Sequence, residues 1–105
     1  MAVHAEISVI PVSRKGGTSM SKEVAAAFDA IRRTRGVKAT LTALGTQIEA
    51  RDIDSALRAV KAAHAAVRKK GAARIISSVR IDERFDRSQS LEDKVRSVRK
   101  ELSSE

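Results

Sequence analysis

Glu6, Gln47, Glu49, Arg80 and Asp82 stand at alternate positions within three short apolar runs, "AEISVI", "GTQIEA" and "VRIDE". Carboxylates, a carboxamide and a guanidinium sharing one surface can hold a polar ligand. The acids accept from ring amines or pair with cations, and the guanidinium fixes an acid or an anion. Ser8, Thr40, Thr42 and Ser78 fall on the same parity and add hydroxyls. The ordinary explanation is a water-washed surface, because antiparallel sheets often wet one face. Glu6, Ser8 and Gln47 are compact, however, and suit a ligand site or a subunit interface better than bulk water. Two acids can also work as an acid–base pair, but no nucleophile or closing lid accompanies them. An enzyme is therefore not expected, and a polar binding surface is.

The elements that must position these groups follow from periodicity. Val3 to Val12 alternates, with Val3, Ala5, Ile7 and Val9 opposing His4, Glu6 and Ser8, which predicts a strand stopped by Pro11. The segment 13–18, "SRKGGT", reads as a loop whose Gly16–Gly17 could hold an anion at a helix start, a weak signal. Ser19 or Ser21 can cap a helix with Val24, Ala27, Phe28 and Ile31 as its stripe, ended by Gly36. Val37–Ala43 and Thr46–Arg51, joined through Gly45, predict a hairpin. Asp52 caps a second helix. Its expected buried face is Ile53, Leu57, Val60, His64 and Val67, widened by Ala56 and Ala63 and ended by Gly71. Arg74–Asp82 reads as the fourth strand. Ser90 and Asp93 form a capping-box pattern ahead of a third helix with Leu91, Val95, Val98 and Leu102 as its stripe.

The order β-α-β-β-α-β is the ferredoxin-like pattern, an α+β fold, here with an extra C-terminal helix. Right-handed crossovers and the hairpin predict an antiparallel sheet ordered 4-1-3-2 in a single domain over residues 1–105. The two main helices are expected to cover the face bearing Ala5, Ile7, Val9, Leu41, Ile48, Val79 and Ile81. The polar set takes the other face. Arg80, Glu6 and either Glu49 or Gln47 are expected to form one cross-strand row.

Composition narrows the function classes. The chain has 105 residues and 42% hydrophobic content, yet no Trp, no Tyr and only Phe28 and Phe85 as aromatics. Small apolar side chains bury little area each, so a lone subunit is marginally stable and a homo-oligomer is favoured. The net charge of +8, from 21 basic against 13 acidic residues, suits an anionic partner. The clusters Arg32, Arg33, Arg35 and Arg68, Lys69, Lys70 sit near helix ends, where cations offset the dipole. The absence of cysteine excludes disulfides and thiolate chemistry. His4 and His64 have no third ligand at useful spacing, so no metal is expected, and no motif implies a cofactor. The amino-terminal segment lacks the basic region of a signal peptide, and no run approaches the roughly 20 apolar residues of a membrane span. A cytoplasmic protein with no membrane partner is expected. RNA recognition by the sheet is not expected, because the polar face has no aromatics and carries Glu6, Glu49 and Asp82. The residues themselves leave three readings open: a small-molecule binder, a structural or regulatory homo-oligomer, and a non-specific nucleic-acid binder acting through the basic helix ends.

Several motifs carry a resemblance. "AEISVIPV", "TSMSKEVA", "ALGTQIEA", "VKAAHAAVRKKGAARI" and "VRIDERFDRSQSLEDKVRSV" are similar, in order and over nearly the whole chain, to the thiamine-binding protein family. The resemblance implies ferredoxin-like domains assembled as dimers or tetramers through their sheets. It also implies binding of thiamine or its hydroxymethylpyrimidine part, without catalysis. The ligand positions it implies here are Glu6, Ser19, Ser21, Thr46, Glu49, His64, Arg80 and Asp82. The sequence departs from the family where Glu23 replaces a common Tyr, where Ala39 stands near a usual aromatic, and at Ala43–Leu44 and Ala65. Loss of the two aromatics removes possible stacking surfaces for a flat ring.

Overall fold

The computed structural model describes residues 2–12 and 17–104. Of the loop expected over 13–18, residues 13–16, with Gly16 of the glycine pair, lie outside the described residues. Seven elements follow in order: β1 (Val3–Val12), α1 (Ser21–Arg32), β2 (Val37–Thr42), β3 (Gly45–Ala50), α2 (Ile53–Lys69), β4 (Arg74–Glu83) and α3 (Leu91–Ser103). The four strands form one antiparallel sheet ordered β2-β3-β1-β4, the expected 4-1-3-2 read from the other edge.

β1 runs through Pro11 rather than stopping before it. Its pairing with β3 ends at Ile7↔Thr46, whereas its pairing with β4 continues to Val12↔Arg74. Pro11 therefore sits where one side of β1 is already an open edge, a place where a missing N–H is tolerated.

Two glycines are required by their surroundings. Gly36 has φ +81 as the chain leaves α1 for β2, and a Cβ there would lie 2.9 Å from Ser55 Oγ. Gly45 opens β3 so close to β1 that a Cβ would meet the Ile7 carbonyl oxygen at 2.9 Å. The short hairpin is also tied by Thr42 Oγ1, which donates to the Gly45 carbonyl.

The core lies between the sheet and α1 and α2. Val3, Ala5, Ile7, Val9, Ile48 and Ala50 supply the sheet side, and Ala27, Ile31, Ala56, Ala59, Ala63 and Val67 the helix side. The stripe of α2 keeps Ala56, Ala63 and Val67 from the expected face, with Ile53 and Val60 packed against it, but is centred differently. It runs through Ala56, Ala59, Ala63 and Val67, while Leu57 and His64 are exposed at its flank. A line of alanines lets a helix backbone come close to its neighbours. That contact turns the helix so that the larger flanking side chains leave the interface. Leu41, Val79 and Ile81 keep the expected side by register, but all three are exposed, Leu41 by 57%. They belong to the edge strands β2 and β4, beyond full helix cover.

At α1, neither serine acts as a side-chain cap. The N-cap position is Met20, with no side-chain capping bond, and the Ser19 hydroxyl accepts a long 3.4 Å bond from Ser21 N. Asp52 does cap α2, accepting from Ser55 N at 2.8 Å, and Ser90 and Asp93 form the expected capping box at α3. α3 buries no residue fully, and Val95, Val98 and Leu102 are exposed. The Cα radius of gyration is 15.3 Å. A compact chain of this length would have about 13 Å, which fits a third helix that extends along the molecule.

The observed stripe has a consequence for stability. Ile48→Ala, which empties a fully buried site, should cost about 2–5 kcal/mol. Leu57→Ala should change stability by no more than about 1 kcal/mol. Urea midpoints of the two variants check this, and equal losses would restore the sequence-based stripe.

Candidate binding site under the third helix

The sheet face away from α1 and α2 carries two cross-strand rows. Register puts Lys38, Glu49, His4 and Asp82 side by side in one, and Thr40, Gln47, Glu6 and Arg80 in the next. The choice left open by the sequence is thereby made: Gln47, not Glu49, stands beside Glu6 and Arg80. A third position along β1 pairs Ser8 with Ser78, and beyond it Ile10 pairs with Ile76. The polar face thus ends in two exposed isoleucines.

α3 lies over the first row and fastens it. Leu91 N donates to Glu49 Oε1 at 2.8 Å, so the acid receives one of the amides left free at a helix start. Lys94 Nζ donates to Asp82 Oδ2 at 2.5 Å. The second row is looser. Gln47 Nε2 reaches Glu6 Oε2 at 3.4 Å, and Arg80 lies 3.7 Å from Glu6 Oε1. Between the rows and α3 is a cleft of about 990 Å³, walled by Glu6, Gln47, Arg80 and His4 from the sheet and by Leu91 and Val95 from the helix. That volume suits a small organic molecule.

Four of the eight expected ligand residues come together here: Glu6, Arg80 and Asp82 line the cleft, and Glu49 adjoins it through Leu91. The other four do not. Thr46 pairs with Ile7 and Leu41 on the helix side of the sheet and is buried. His64 is exposed on α2, with Nδ1 2.7 Å from Ser77 Oγ; Ser77 pairs with Val9, again on the helix side. Ser19 and Ser21 lie exposed at the start of α1, their hydroxyls 3.2 Å apart. A one-residue step along a strand reverses the face, which separates Thr46 from Gln47. His4, Leu91 and Lys94 were not among the expected ligand residues. The alternation of β1 does put His4 on the polar face, but its neighbours Glu49 and Asp82 emerge only from the register.

The fold and this face define a class of protein: a small open-sheet α+β domain with a polar cleft closed on one side by its last helix. The sequence model of the family described as thiamine-binding protein matches residues 5–99. A UPF0045 protein of Methanothermobacter thermautotrophicus is 40% identical over 100 residues, covering 95% of this chain and 99% of its own. The chain belongs to the thiamine-binding protein family. The crystal structure of a hypothetical protein of Methanocaldococcus jannaschii, 36% identical, superposes with a TM-score of 0.82 and covers 92% of this chain and 95% of its own. A Thermotoga maritima protein assigned provisionally to thiamine biosynthesis or salvage shares the fold with a TM-score of 0.75 at 20% identity, covering 93% and 99% of the two chains. Among the described residues, no helix is long and apolar enough to cross a membrane.

The fastening of α3 is electrostatic and so depends on pH. Asp82 is held below its ordinary value of 3.8, first by the hydrogen bond from Lys94 and then by the charge of that ammonium. Asp93 is held below the same value by the backbone N–H and then the hydroxyl of Ser90. A carboxyl whose value is depressed in the folded state contributes above its unfolded value and is lost as pH falls through the lowered one. α3 should stay fastened at neutral pH and loosen as acidification proceeds below 3.8. An acid titration followed by amide NMR shifts should show Leu91–Val95 changing before Ile48. Simultaneous change would mean that α3 does not open on its own.

Proposed function

We propose that this protein binds a small, positively charged heteroaromatic metabolite, thiamine or its hydroxymethylpyrimidine part, in the cleft beneath α3 without transforming it. The carrying observation is the half-satisfied carboxylate of Glu6. In a chain of net charge +8, this acid faces a cleft of ligand size and has only long contacts, at 3.4 and 3.7 Å. Asp82, Glu83 and Glu92 also line the cleft, against Arg80, Lys94 and Arg99, so its lining is acidic by one charge in a basic molecule. That local excess favours a cation, and Glu6 can accept from a ring amine or offset a thiazolium charge. Gln47 and Thr40 add neutral hydrogen-bonding groups. Membership in the thiamine-binding protein family supports the same ligand class.

The reading includes a homo-oligomer, a dimer or tetramer, acting in the cytoplasm. The exposed Ile10–Ile76 pair continues the polar face into an apolar end, and the Val95–Val98–Leu102 stripe of α3 is uncovered. A second copy laid on this side would cover both and roof the cleft, strengthening its hydrogen bonds by excluding water. Ser19, Ser21, Thr46 and His64 could then contact ligand only through a rearrangement or a second copy.

Isothermal titration with thiamine is the direct test. The wild-type protein should release or absorb heat at a saturating ratio near one per subunit or per dimer, and Glu6→Gln should bind about ten-fold more weakly, a change of about 1.4 kcal/mol. No heat with either thiamine or hydroxymethylpyrimidine would favour a structural oligomer without a small ligand.

A further inference from the structure

His4 is the one residue among those described whose buried side-chain nitrogen has no hydrogen-bond partner. The residue is 6% exposed and sits between the cleft and the start of α3. Its Nε2 lies 3.9 Å from Glu49 Oε1, too far for a hydrogen bond, and that oxygen is drawn toward Leu91 N, which donates to it at 2.8 Å. An unmade bond on a buried group costs more than a made one gains, so an orphan of this kind calls for an explanation. At that distance the neighbouring acid does not supply it.

We propose that His4 is a ligand-contacting residue at the floor of the cleft, acting together with Glu49 when the first turn of α3 lifts. This rests on the binding function proposed above and specifies which edge of the ligand is read. With α3 fastened, Leu91 N occupies Glu49 and covers the floor. Once that turn lifts, the pair presents a donor, His4 Nε2–H, beside an acceptor, the Glu49 carboxylate. Their complement is a ring edge that offers an acceptor nitrogen next to an exocyclic amine. The ring nitrogen accepts from His4, and the amine donates to Glu49 in place of Leu91 N. Binding then satisfies the orphan nitrogen and replaces the amide that Glu49 gave up, so opening leaves Glu49 paired. A ring bearing a carbonyl in place of the amine would present an acceptor to the Glu49 carboxylate and is disfavoured by repulsion.

The test is His4→Leu, which removes the orphan nitrogen while filling the site. A packing histidine would leave the variant less stable with unchanged affinity. A ligand-reading histidine predicts the reverse pair: a melting temperature equal to or above wild type, and thiamine affinity at least about ten-fold weaker. The 4-oxo analogue of thiamine should bind wild type about ten-fold more weakly than thiamine does. In wild type, thiamine should shift the His4 Nε2 resonance and speed exchange of the Leu91 amide. Equal affinity of wild type and His4→Leu, or an unmoved His4 resonance at saturation, overturns this inference while the binding function stands. Failure of wild type to bind either thiamine or hydroxymethylpyrimidine overturns the binding function, and this inference with it.

Discussion

The structure depends on β1 being paired on both sides from Val3 to Ile7. Between two neighbours a strand cannot rotate, so its alternation becomes a fixed partition of chemistry. Val3, Ala5 and Ile7 enter the core, and His4 and Glu6 are driven to the opposite surface. The same pairing aligns β3 and β4 on either side, so that Glu49 and Asp82 flank His4 while Gln47 and Arg80 flank Glu6. A slip of one residue would exchange Ile7 for Glu6 in the core, and the sheet would not hold.

On that frame the helices play unequal parts. α1 and α2 make the core with small residues, a contact that gains stability through closeness rather than side-chain size. α3 contributes little to the core. It is tied down by a carboxylate on its first amide and by one lysine–aspartate pair, both made to the polar face. An element held by a few polar links at one end, with an apolar stripe left uncovered, can open at low cost. The cleft beneath it is therefore suited to admit a ligand.

Much of this was legible in the sequence. The alternations of "AEISV" and "TQIEA", the spacing of Gly36, Gly45 and Gly71, and the Ser90–Asp93 box specify elements through local chemistry, and the crossover rules then leave few topologies. On α2 the sequence places Ala56, Ala63 and Val67 in the core correctly, but it puts Leu57 and His64 there and leaves out Ala59, because a hydrophobic pattern weights leucine above the alanines that lead the contact. Pro11 reads as a stop in the sequence because its open neighbour side depends on where β3 ends, a non-local fact. The pairing of Gln47 with Glu6, and the approach of Leu91 to Glu49 across 42 residues of chain, arise from register and docking that no local signal encodes. Ile10 and Ile76 did leave a trace, in the apolar doublets "VI" and "II", which break the alternation where the sheet becomes apolar on both faces.

The central claim is that the ligand lies on the open sheet face under α3. Amide chemical-shift mapping with saturating thiamine tests this most directly. The largest changes should fall on β1, β3 and β4 around Glu6, Gln47 and Arg80 and on the first two turns of α3. Changes concentrated on α1 and α2, around Ser21 and His64, would place the ligand on the other side of the sheet and contradict the account.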